Sequence, residues 1–352
     1  MMAPAMLGLV ERAWAPRTGG DRVLRVALLP AALVYGAAVA ARNRLYDAGW
    51  LAVRRVRARV LSVGNLTAGG TGKTPTALWL AERLAARGQR VGIVARGYRK
   101  RRRGVVVVGA AGTPLVSPED GGDEAVLLAR RFAGPVVTGE RRADAAAAAC
   151  TRFGLDTIIL DDGFQHRALA RDADLVLVAG DPTRDWPLPA GPLREPARAL
   201  RRARAVLAVG GDGALPEPPR VPPGVAAFRG RMVAIGLVRA VGDRWTVDPV
   251  AVLAGRPVVA VAGVARPERF TALLGRAGAI VRDALLFPDH HSYGVRDLAR
   301  IAAAATHGAL VTTEKDLVKL AGLPGTSALR ALRVGLEVED GDALVDRLLA
   351  AP

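Results

Sequence analysis

A glycine-rich segment that ends in lysine and threonine has the residue types that bind nucleotide phosphates. The segment is Ser62–Pro75 (SVGNLTAGGTGKTP), between a predicted strand and a predicted helix. Its glycines let backbone N–H groups turn towards phosphate oxygens, and the helix start adds a favourable dipole. Lys73 is predicted to bridge the β- and γ-phosphates during catalysis, and Thr74 to bind nucleotide and Mg²⁺. The phosphate cradle is assigned to Gly69, Gly70, Thr71 and Gly72.

This segment departs from the usual phosphate-loop (P-loop) pattern, G-x4-G-K-[ST], at one position. The first glycine of the pattern falls on Thr67, and Gly64, Gly69 and Gly70 supply the flexibility instead. A glycine-rich turn without a ligand is the alternative interpretation. Lys73 favours the phosphate site, because it is one of only four lysines in the chain.

Two adjacent carboxylates follow an apolar strand in the segment Leu155–Arg167 (LDTIILDDGFQHR). Asp161 and Asp162 repel each other at the carboxyl end of that strand, and a bound cation would relieve the repulsion. Two aspartates after a strand often form only a turn, but behind a P-loop we predict a Mg²⁺ site. Gln165 and His166 follow and are assigned to the nucleotide site, with an exposed surface position as the alternative for His166.

Residue types that are rare in this chain mark further candidate positions. Arginine, alanine, glycine and valine dominate, which we interpret as a background bias that replaces other residues wherever chemistry permits. The rare polar types occur at Asn43, Asn65, Lys73, Gln89, Lys100, Gln165, His166, His290, His291, His307, Lys315 and Lys319. Lys315 is predicted to be either a nucleotide or substrate contact or simply the start of a helix.

Alternating strand and helix patterns must position these residues from about residue 56 onward. Apolar runs typical of buried parallel strands are Val60–Val63, Val91–Ala95, Val105–Val108, Pro135–Val137, Thr157–Leu160 and Leu175–Val178. Helical stretches between them include Pro75–Ala86, Glu124–Phe132 and Arg142–Phe153. The alternation predicts an α/β fold with a parallel sheet covered by helices on both faces.

A second α/β pattern follows a proline- and glycine-rich stretch, Gly210–Gly224, which is typical of a linker or domain edge. Its predicted elements are Val258–Val261, Pro267–Ala277, Ala279–Leu286, Arg296–Ala305, Ala309–Val311, Arg333–Val338 and Asp342–Ala350. We therefore predict an N-terminal helix region over 1–48, a P-loop α/β/α domain over 49–222 and a smaller α/β/α domain over 223–352.

The N-terminal region combines an apolar run with a basic collar. Val26–Ala41 is apolar over 16 residues apart from Pro30 inside it, and is shorter than the ~20 residues that a spanning helix needs. The first 60 positions contain ten arginines against three acidic residues, so a helix here can lie in an anionic membrane surface. A helix packed on the domain is the alternative. The use of cysteine and the downstream motifs disfavour a cleaved secretory signal.

The composition excludes several classes of protein. An apolar fraction of 51% and a mean hydropathy of +0.21 disfavour intrinsic disorder. A single cysteine, Cys150, excludes a disulfide framework and fits a reducing compartment. The net charge is +17, but aromatic residues for base stacking make up only 4%, so no nucleic-acid partner is predicted. The basic stretch Arg99–Arg103 is expected to be a solvated loop, with lipid phosphates and nucleic acid as alternative ligands.

Seven segments in order resemble one known family. They are Gly64–Pro75 (GN-x3-GG-x-GKTP), Arg96–Tyr98 (RGY), Gly122–Glu124 (GDE), Asp161–His166 (DDGFQH), Pro189–Pro196 (PAGPLREP), Phe287–Tyr293 (FPDHHSY) and Thr312–Asp316 (TTEKD). Together they resemble the tetraacyldisaccharide 4'-kinases, also called lipid A 4'-kinases, from the N-terminal helix to about Leu320. The resemblance implies two α/β/α domains with the active site in the cleft between them.

The resemblance also implies a function and further site residues. Family members transfer the γ-phosphate of ATP, with Mg²⁺, to the 4'-hydroxyl of a lipid A disaccharide 1-phosphate at the cytoplasmic face of the bacterial inner membrane. The N-terminal helix is then a peripheral or monotopic anchor, and the protein is expected to be a monomer. Asp123 and His290 match a catalytic pair in which the carboxylate takes the hydroxyl proton and the histidine orients it. Arg194 and Glu195 match a pair that stabilises the transferred charge and binds the metal, respectively.

Other interpretations remain open at this point. Without the resemblance, Asp123 is typical of a helix N-terminus and His290 of a turn, and His291 is the alternative for the catalytic histidine. Another P-loop ATPase, of the ParA-like or metal-insertion type, is the alternative enzyme. Those proteins commonly have a second lysine near the start of the loop, and positions 64–72 contain none.

Overall fold

The structure, a computed structural model, describes residues 10–242 and 244–351 of the chain. Within them, 14 strands form one mixed β-sheet. Its strands are β1 (Arg59–Asn65), β2 (Val91–Ala95), β3 (Val106–Ala110), β4 (Thr113–Pro114), β5 (Val136–Thr138), β6 (Thr157–Asp161), β7 (Ala173–Val178), β8 (Ala205–Gly210), β9 (Ala226–Val241), β10 (Arg244–Asp248), β11 (Pro257–Ala262), β12 (Ile280–Leu286), β13 (Ala309–Thr313) and β14 (Arg330–Val338).

Helices cover both faces of this sheet, and the first long helix precedes it in the chain. They are α1 (Gly19–Asp47), α2 (Lys73–Ala86), α3 (Pro118–Gly121), α4 (Asp123–Arg131), α5 (Arg142–Phe153), α6 (Pro267–Arg276), α7 (Val295–Ala304), α8 (Glu314–Leu320) and α9 (Gly341–Leu349). Short 3₁₀ segments are Pro182–Arg184, Ala197–Arg202 and Val250–Leu253, and residues 10–14 are also helical. The α/β/α architecture agrees with the predicted fold class.

From residue 56 onward, the predicted strands and helices are present, with ends displaced by at most three residues. One predicted direction was wrong: β3 pairs antiparallel with β5, because apolar composition marks burial and does not encode strand direction. β4, β8, β9 and β10 lie outside the predicted strands. In β9 an apolar run over residues 232–238 is preceded by Arg229 and Arg231, which pair with Glu339 and Glu337 on the neighbouring-strand side of the sheet.

The centre of the sheet brings the two predicted phosphate- and metal-binding segments together. β1 pairs parallel with β6 on one side and with β7 on the other. The P-loop leaves the carboxyl end of β1, and Asp161 ends β6 directly beside it, in register with Val63. Ligands of open α/β sheets bind at this edge, beyond the carboxyl ends of the strands.

The sheet continues from the predicted P-loop domain into the predicted second domain. β9 pairs parallel with β8 on one edge and antiparallel with β14 on the other. The proline- and glycine-rich stretch that connects β8 to β9 forms neither helix nor strand after Gly210. The division of the chain at residues 222 and 223 stays a prediction.

Helix α1 is longer than the apolar run that predicted it. It spans 29 residues, begins at a capping box formed by Thr18 and Asp21, and continues through Pro30. By length and composition it could cross a membrane, and only 6% of its apolar window is buried. The apolar run was expected to be too short to span a membrane, but the whole helix that contains it is long enough. Apolar side chains that are 62–71% exposed along it are Val23, Val26, Leu33 and Val34.

The second half of α1 docks on the P-loop half of the sheet. The hydroxyl of Tyr35 donates to the backbone carbonyl of Arg194 at 3.0 Å, and the guanidinium of Arg42 donates to the carbonyl of Gln165 at 3.1 Å. These contacts join an exposed apolar helix to two segments of the predicted site.

Candidate active site

The P-loop adopts the conformation that its glycines predict. Gly72 has a φ of 86°, a left-handed backbone conformation that favours glycine. Helix α2 begins at Lys73, and among the described residues no side chain caps its first N–H groups, which leaves them for an anion. The buried amide of Asn65 donates to Thr71 Oγ1 at 2.8 Å and fixes the loop from below.

Asp161 faces this loop from the end of β6. Its Oδ2 accepts a hydrogen bond from Thr74 Oγ1 at 3.1 Å, whereas its Oδ1 is buried without a hydrogen-bond partner among the described residues. Burial, together with the charges of Glu124 and Asp162, raises the pKa of Asp161 to about 7. A carboxylate in this setting is strongly stabilised by a bound cation.

Asp162 has the opposite electrostatic setting. Burial alone would raise its pKa, but the charges of Lys73 and Arg194 outweigh burial and hold the pKa below its usual range. Lys73 Nζ lies 3.8 Å from Asp162 Oδ1, and the Arg194 guanidinium donates to both carboxylate oxygens at 2.9 Å. Asp162 thus holds both cations at the phosphate end of the site.

Thr74 and the two aspartates fit Mg²⁺ in a nucleotide site. Such a site needs only one or two protein oxygen ligands, because phosphates and water complete the shell. In agreement, no group of three or more His, Cys, Asp and Glu side chains suited to an all-protein metal site occurs in the described parts of the chain. The unpartnered Oδ1 of Asp161 is the oxygen that most needs a cation.

The segment after the aspartates is locked against β1. A Cβ on Gly64 would lie 2.8 Å from Phe164 N, so the close approach requires glycine. Gln165 Nε2 donates to the carbonyl of Asn65 at 2.9 Å. Gln165 Oε1 and His166 Nε2 remain buried without a hydrogen-bond partner within residues 10–242 and 244–351. Burial and neighbouring arginines lower the pKa of His166 to about 4, so its half-buried ring is neutral.

His290 contacts Asp123 from the opposite wall. His290 Nδ1 and Asp123 Oδ2 are 2.9 Å apart, although the residues are 167 positions apart in the chain. His290 has a φ of 58°, a conformation that costs a non-glycine residue about 1–3 kcal/mol and that its contacts must hold. His291, the alternative histidine, contacts Asp297 at 2.9 Å and stacks on Phe287 instead.

Asp123 is a buried carboxylate that remains ionised. Its Oδ1 accepts the N–H of Glu124 at 2.9 Å, and Lys319 Nζ lies 3.9 Å from its Oδ2. Burial alone would raise its pKa, but the hydrogen bond from His290 and the charges of Lys315 and Lys319 outweigh burial and lower it. At neutral pH this group is therefore a proton acceptor.

One cleft of about 1020 Å³ joins the two walls. The predicted residues that line it are Gly69, Gly70, Thr71, Gly72, Lys73, Thr74, Asp161, Asp162, Gln165, His166, Arg194 and His290. Asp123 is 8% exposed and contacts His290 and Glu124, which line the cleft. The volume suits a nucleotide with part of a second substrate.

Glu195 was predicted to be a metal ligand, but among the described residues it forms no hydrogen bond or ion pair with Asp161 or Asp162. Its carboxylate is 1% exposed, pairs with Arg202 at 3.0 Å and accepts a hydrogen bond from Asn43 Nδ2 at 2.6 Å. These contacts tie α1 to the PAGPLREP segment. Its role as a metal ligand stays a prediction.

A second buried charge cluster joins the two walls at the cleft, which Arg131 and Glu314 line. Arg131, at the end of α4, donates to Glu314 Oε2 at 3.0 Å, and Arg333 of β14 donates to Glu314 Oε1 at 2.8 Å. The side chains of Arg131, Glu314 and Arg333 are 11%, 5% and 21% exposed. The cluster fixes the start of α8, which carries Lys315, against α4, which carries Asp123.

Sequence reasoning missed several residues of the site. Glu124 and Arg142 line the cleft, Lys319 contacts Asp123, and Asn43 reaches Glu195. Rarity was a usable signal for Asn43 and Lys319, since the chain has two asparagines and four lysines. Arg142 gives no such signal in an arginine-rich chain.

Known proteins resemble this chain over nearly its whole length. Residues 24–351 match the family model described as tetraacyldisaccharide-1-P 4'-kinase. A protein from Anaeromyxobacter sp. (strain Fw109-5) named tetraacyldisaccharide 4'-kinase is 41% identical over 377 residues, covering 98% of this chain and 97% of that protein. A protein of the same name from Gluconacetobacter diazotrophicus is 43% identical over 316 residues, covering 87% and 88%. The crystal structure of LpxK from Aquifex aeolicus in complex with ATP has a TM-score of 0.78 at 32% identity, covering 93% of this chain and 98% of that one.

Proposed function

The chain belongs to the tetraacyldisaccharide-1-P 4'-kinase family, and from this premise we propose that its cleft transfers the γ-phosphate of ATP to the 4'-hydroxyl of a lipid A disaccharide 1-phosphate. One observation carries the proposal: Lys73 and Thr74 line the cleft on one wall, and His290 on the other wall contacts Asp123 of the first. Family membership disfavours the alternative of another P-loop ATPase.

ATP and Mg²⁺ bind at the P-loop in this proposal. The N–H groups at the start of α2 receive phosphate oxygens, and Lys73 contacts the β- and γ-phosphates. Thr74 and Asp161 would hold Mg²⁺, which neutralises charge on the phosphates when bound. Gln165 and His166 offer buried polar atoms to the nucleotide.

Asp123 is the base that takes the proton of the 4'-hydroxyl in this proposal. A base needs a free lone pair and the charge state to use it. Both ring nitrogens of His290 are occupied, Nδ1 by Asp123 and Nε2 by Lys315, whereas the carboxylate of Asp123 is ionised. His290 therefore orients Asp123 and does not itself take the proton.

Lys73 and Arg194 stabilise the negative charge on the transferred phosphoryl group. Both cations contact Asp162, which supports their placement at the phosphate end of the cleft. Fixed cations in a cleft that excludes water stabilise a charged transition state without reorganisation during the reaction.

The proposed activity is tested by transfer of radiolabelled γ-phosphate from ATP to a tetraacylated disaccharide 1-phosphate in mixed micelles with Mg²⁺. Lys73→Ala is expected to lower kcat by about 10²–10³-fold, because it removes one fixed charge from the transition state. Arg83→Ala, at the far end of α2 and paired with exposed Asp342, is the matched control and should keep the wild-type kcat. Wild-type turnover by Lys73→Ala overturns the P-loop assignment, and no transfer by the wild type overturns the function.

We also propose that α1 binds the cytoplasmic surface of the inner membrane as a peripheral or monotopic anchor. Its exposed apolar side chains and the arginines around them support this interpretation. Because one chain supplies every residue assigned to the cleft, we propose that the protein acts as a monomer, with residues 49–222 and 223–352 as the two walls.

Replacing Val26, Leu33 and Val34 together by asparagine is expected to release the protein from anionic vesicles in a sedimentation assay. Burying each such side chain contributes about 1.5–3 kcal/mol, so the affinity should fall by more than tenfold. The side chains are 62–71% exposed, so the fold should be unaffected. Val295→Asn, at an 85% exposed position remote in sequence, is the control. Unchanged sedimentation of the triple variant would contradict the proposed anchor. Deletion of residues 1–48 is a poorer test, because it also removes Tyr35 and Asn43, which contact the predicted site.

A further inference from the structure

The ammonium group of Lys315 contacts three acceptors beside the cleft. Its Nζ lies 2.9 Å from Asp289 Oδ1, 3.1 Å from His290 Nε2 and 3.3 Å from Glu124 Oε1. A lysine ammonium has three N–H donors and no acceptor. The side chain is 14% exposed, so these contacts account for all of its donors in a largely buried setting.

The direction of these hydrogen bonds determines where the proton of His290 lies. Because Lys315 can only donate, His290 Nε2 must accept, and the ring then carries its proton on Nδ1. Nδ1 in turn donates to Asp123 Oδ2 at 2.9 Å. We propose that Lys315 is a positioning residue that fixes His290 as the Nδ1–H tautomer and thereby keeps the histidine from acting as the base. The step from tautomer to catalysis rests on the proposed function; the hydrogen-bond chain does not.

The charged and polar groups around His290 explain why a lysine is needed here. Acidic groups face it from two elements: Asp123 and Glu124 from α4, and Asp289 from its own loop. The other groups are Lys315 and Lys319 on α8, the Tyr98 ring with its centroid 5.0 Å from that of His290, and Arg99, which donates to the His290 carbonyl.

Without Lys315, the environment of Nε2 would be acidic. Glu124 Oε1 and Asp289 Oδ2 lie 3.9 Å and 3.8 Å from that nitrogen, and both are hydrogen-bond acceptors that call for an N–H donor on the ring. The ammonium of Lys315 donates to both carboxylates and to Nε2, which leaves Nε2 as an acceptor. Burial alone would lower the pKa of Lys315, but Glu124, Asp289 and Asp123 outweigh burial and raise it, so the donor is always present.

A wrong protonation state of His290 has a direct effect on Asp123. A ring protonated at Nε2 alone turns the Nδ1 lone pair towards the carboxylate and loses the hydrogen bond that orients it. A doubly protonated ring places a positive charge beside the base and weakens it. The outer partners of metal-bound histidines typically contribute about 10–100-fold to activity, and by analogy we expect a loss of kcat in this range for Lys315→Met.

The test is ¹⁵N NMR of histidine ring nitrogens in the full chain, which has four histidines. His290→Asn assigns the resonances of His290. In the wild type we expect Nδ1 protonated and Nε2 unprotonated, and in Lys315→Met we expect Nε2 to gain a proton. Lys315→Arg keeps a donor and should retain the wild-type pattern. Lys319→Met, one turn along α8 and bound to the His291 carbonyl, removes a charge near Asp123 without touching His290 Nε2 and should also retain it.

Kinetics of the same variants separate the possible roles of Lys315. A lower kcat with an unchanged KM for ATP, together with the change at Nε2, supports the proposal. A raised KM for ATP with wild-type ring resonances means that Lys315 contacts the nucleotide, and overturns it. If the wild type lacks kinase activity but Nε2 gains a proton in Lys315→Met, the proposed function fails and the tautomer assignment stands. The other three histidines report whether each variant is folded.

Discussion

Asp123→Asn is expected to transfer phosphate about 10²–10⁴-fold more slowly than the wild type at saturating substrates, the range that a positioned general base contributes. The amide has nearly the shape of the carboxylate and can still accept from His290, but it cannot take a proton. Since Asp123 contacts His290 and does not line the phosphate end of the cleft, the KM for ATP should change little. The measurement is kcat for γ-phosphate transfer, with thermal unfolding as a check on the fold.

The partnership with His290 is tested by a double-mutant cycle. His290→Asn should also lower kcat, because the carboxylate loses the group that orients it. If the residues act as one unit, the double variant loses far less than the product of the two single losses. A loss equal to that product would show that the two residues act independently, and the pair would have to be abandoned.

Glu314→Ala is expected to lower the free energy of unfolding by about 3–5 kcal/mol, as when one partner of a buried ion pair is removed. Arg131 and Arg333 would keep their charges at positions where only 11% and 21% of the side chain is exposed. Arg131 retains one other acceptor, the backbone carbonyl of Val334 at 2.7 Å, which cannot neutralise the charge. Urea unfolding followed by circular dichroism gives the change directly.

An exposed ion pair on the same sheet supplies the control for that experiment. Glu337 pairs with Arg231 at 2.8 Å between β14 and β9, with side chains 57% and 43% exposed. Solvent screens such pairs, so Glu337→Ala should cost less than about 1 kcal/mol. Equal losses for Glu314→Ala and Glu337→Ala would contradict the view that burial makes the Glu314 cluster important.

The phosphate end of the site could be predicted from the sequence because its parts are local. A strand, a glycine-rich turn and a helix start lie within one continuous segment, and the chemistry follows from their order. Asp161 and Asp162 could be added because parallel strands end at one edge of a sheet. For these residues, position in the chain and position in space are closely related.

The proposed catalytic pair could not be found by such reasoning. Asp123 and His290 are 167 positions apart and belong to different walls, so only the resemblance to a family joined them. The Lys315 contact with His290 was missed for the same reason, although the rarity of lysine had marked the position. The geometry depends on Glu314 and its arginines, whose long-range pairing leaves no local pattern.

Most uniformly apolar strands were predicted, although β8, which is equally apolar and buried, was missed. β9 was missed because it depends on its neighbours. The sequence of β9 combines apolar residues with Arg229 and Arg231, and the acidic partners of these arginines lie over 100 residues away in the chain. β3 was predicted as a strand with the wrong direction, since direction follows from connectivity. Glu195 shows the same limit: its partners Asn43 and Arg202 come from α1 and from a 3₁₀ segment, and no spacing rule predicts them.

The docking of α1 has a consequence for how the acceptor is found. Tyr35 and Asn43 hold the helix against Arg194 and Glu195, so the orientation of the cleft relative to α1 is fixed. With α1 bound at the bilayer, as proposed, the lipid substrate arrives by lateral diffusion in two dimensions and never crosses water. The rate of turnover then depends on the mole fraction of acceptor in the membrane surface. Added inert lipid therefore lowers the rate even when the bulk concentration of acceptor is constant.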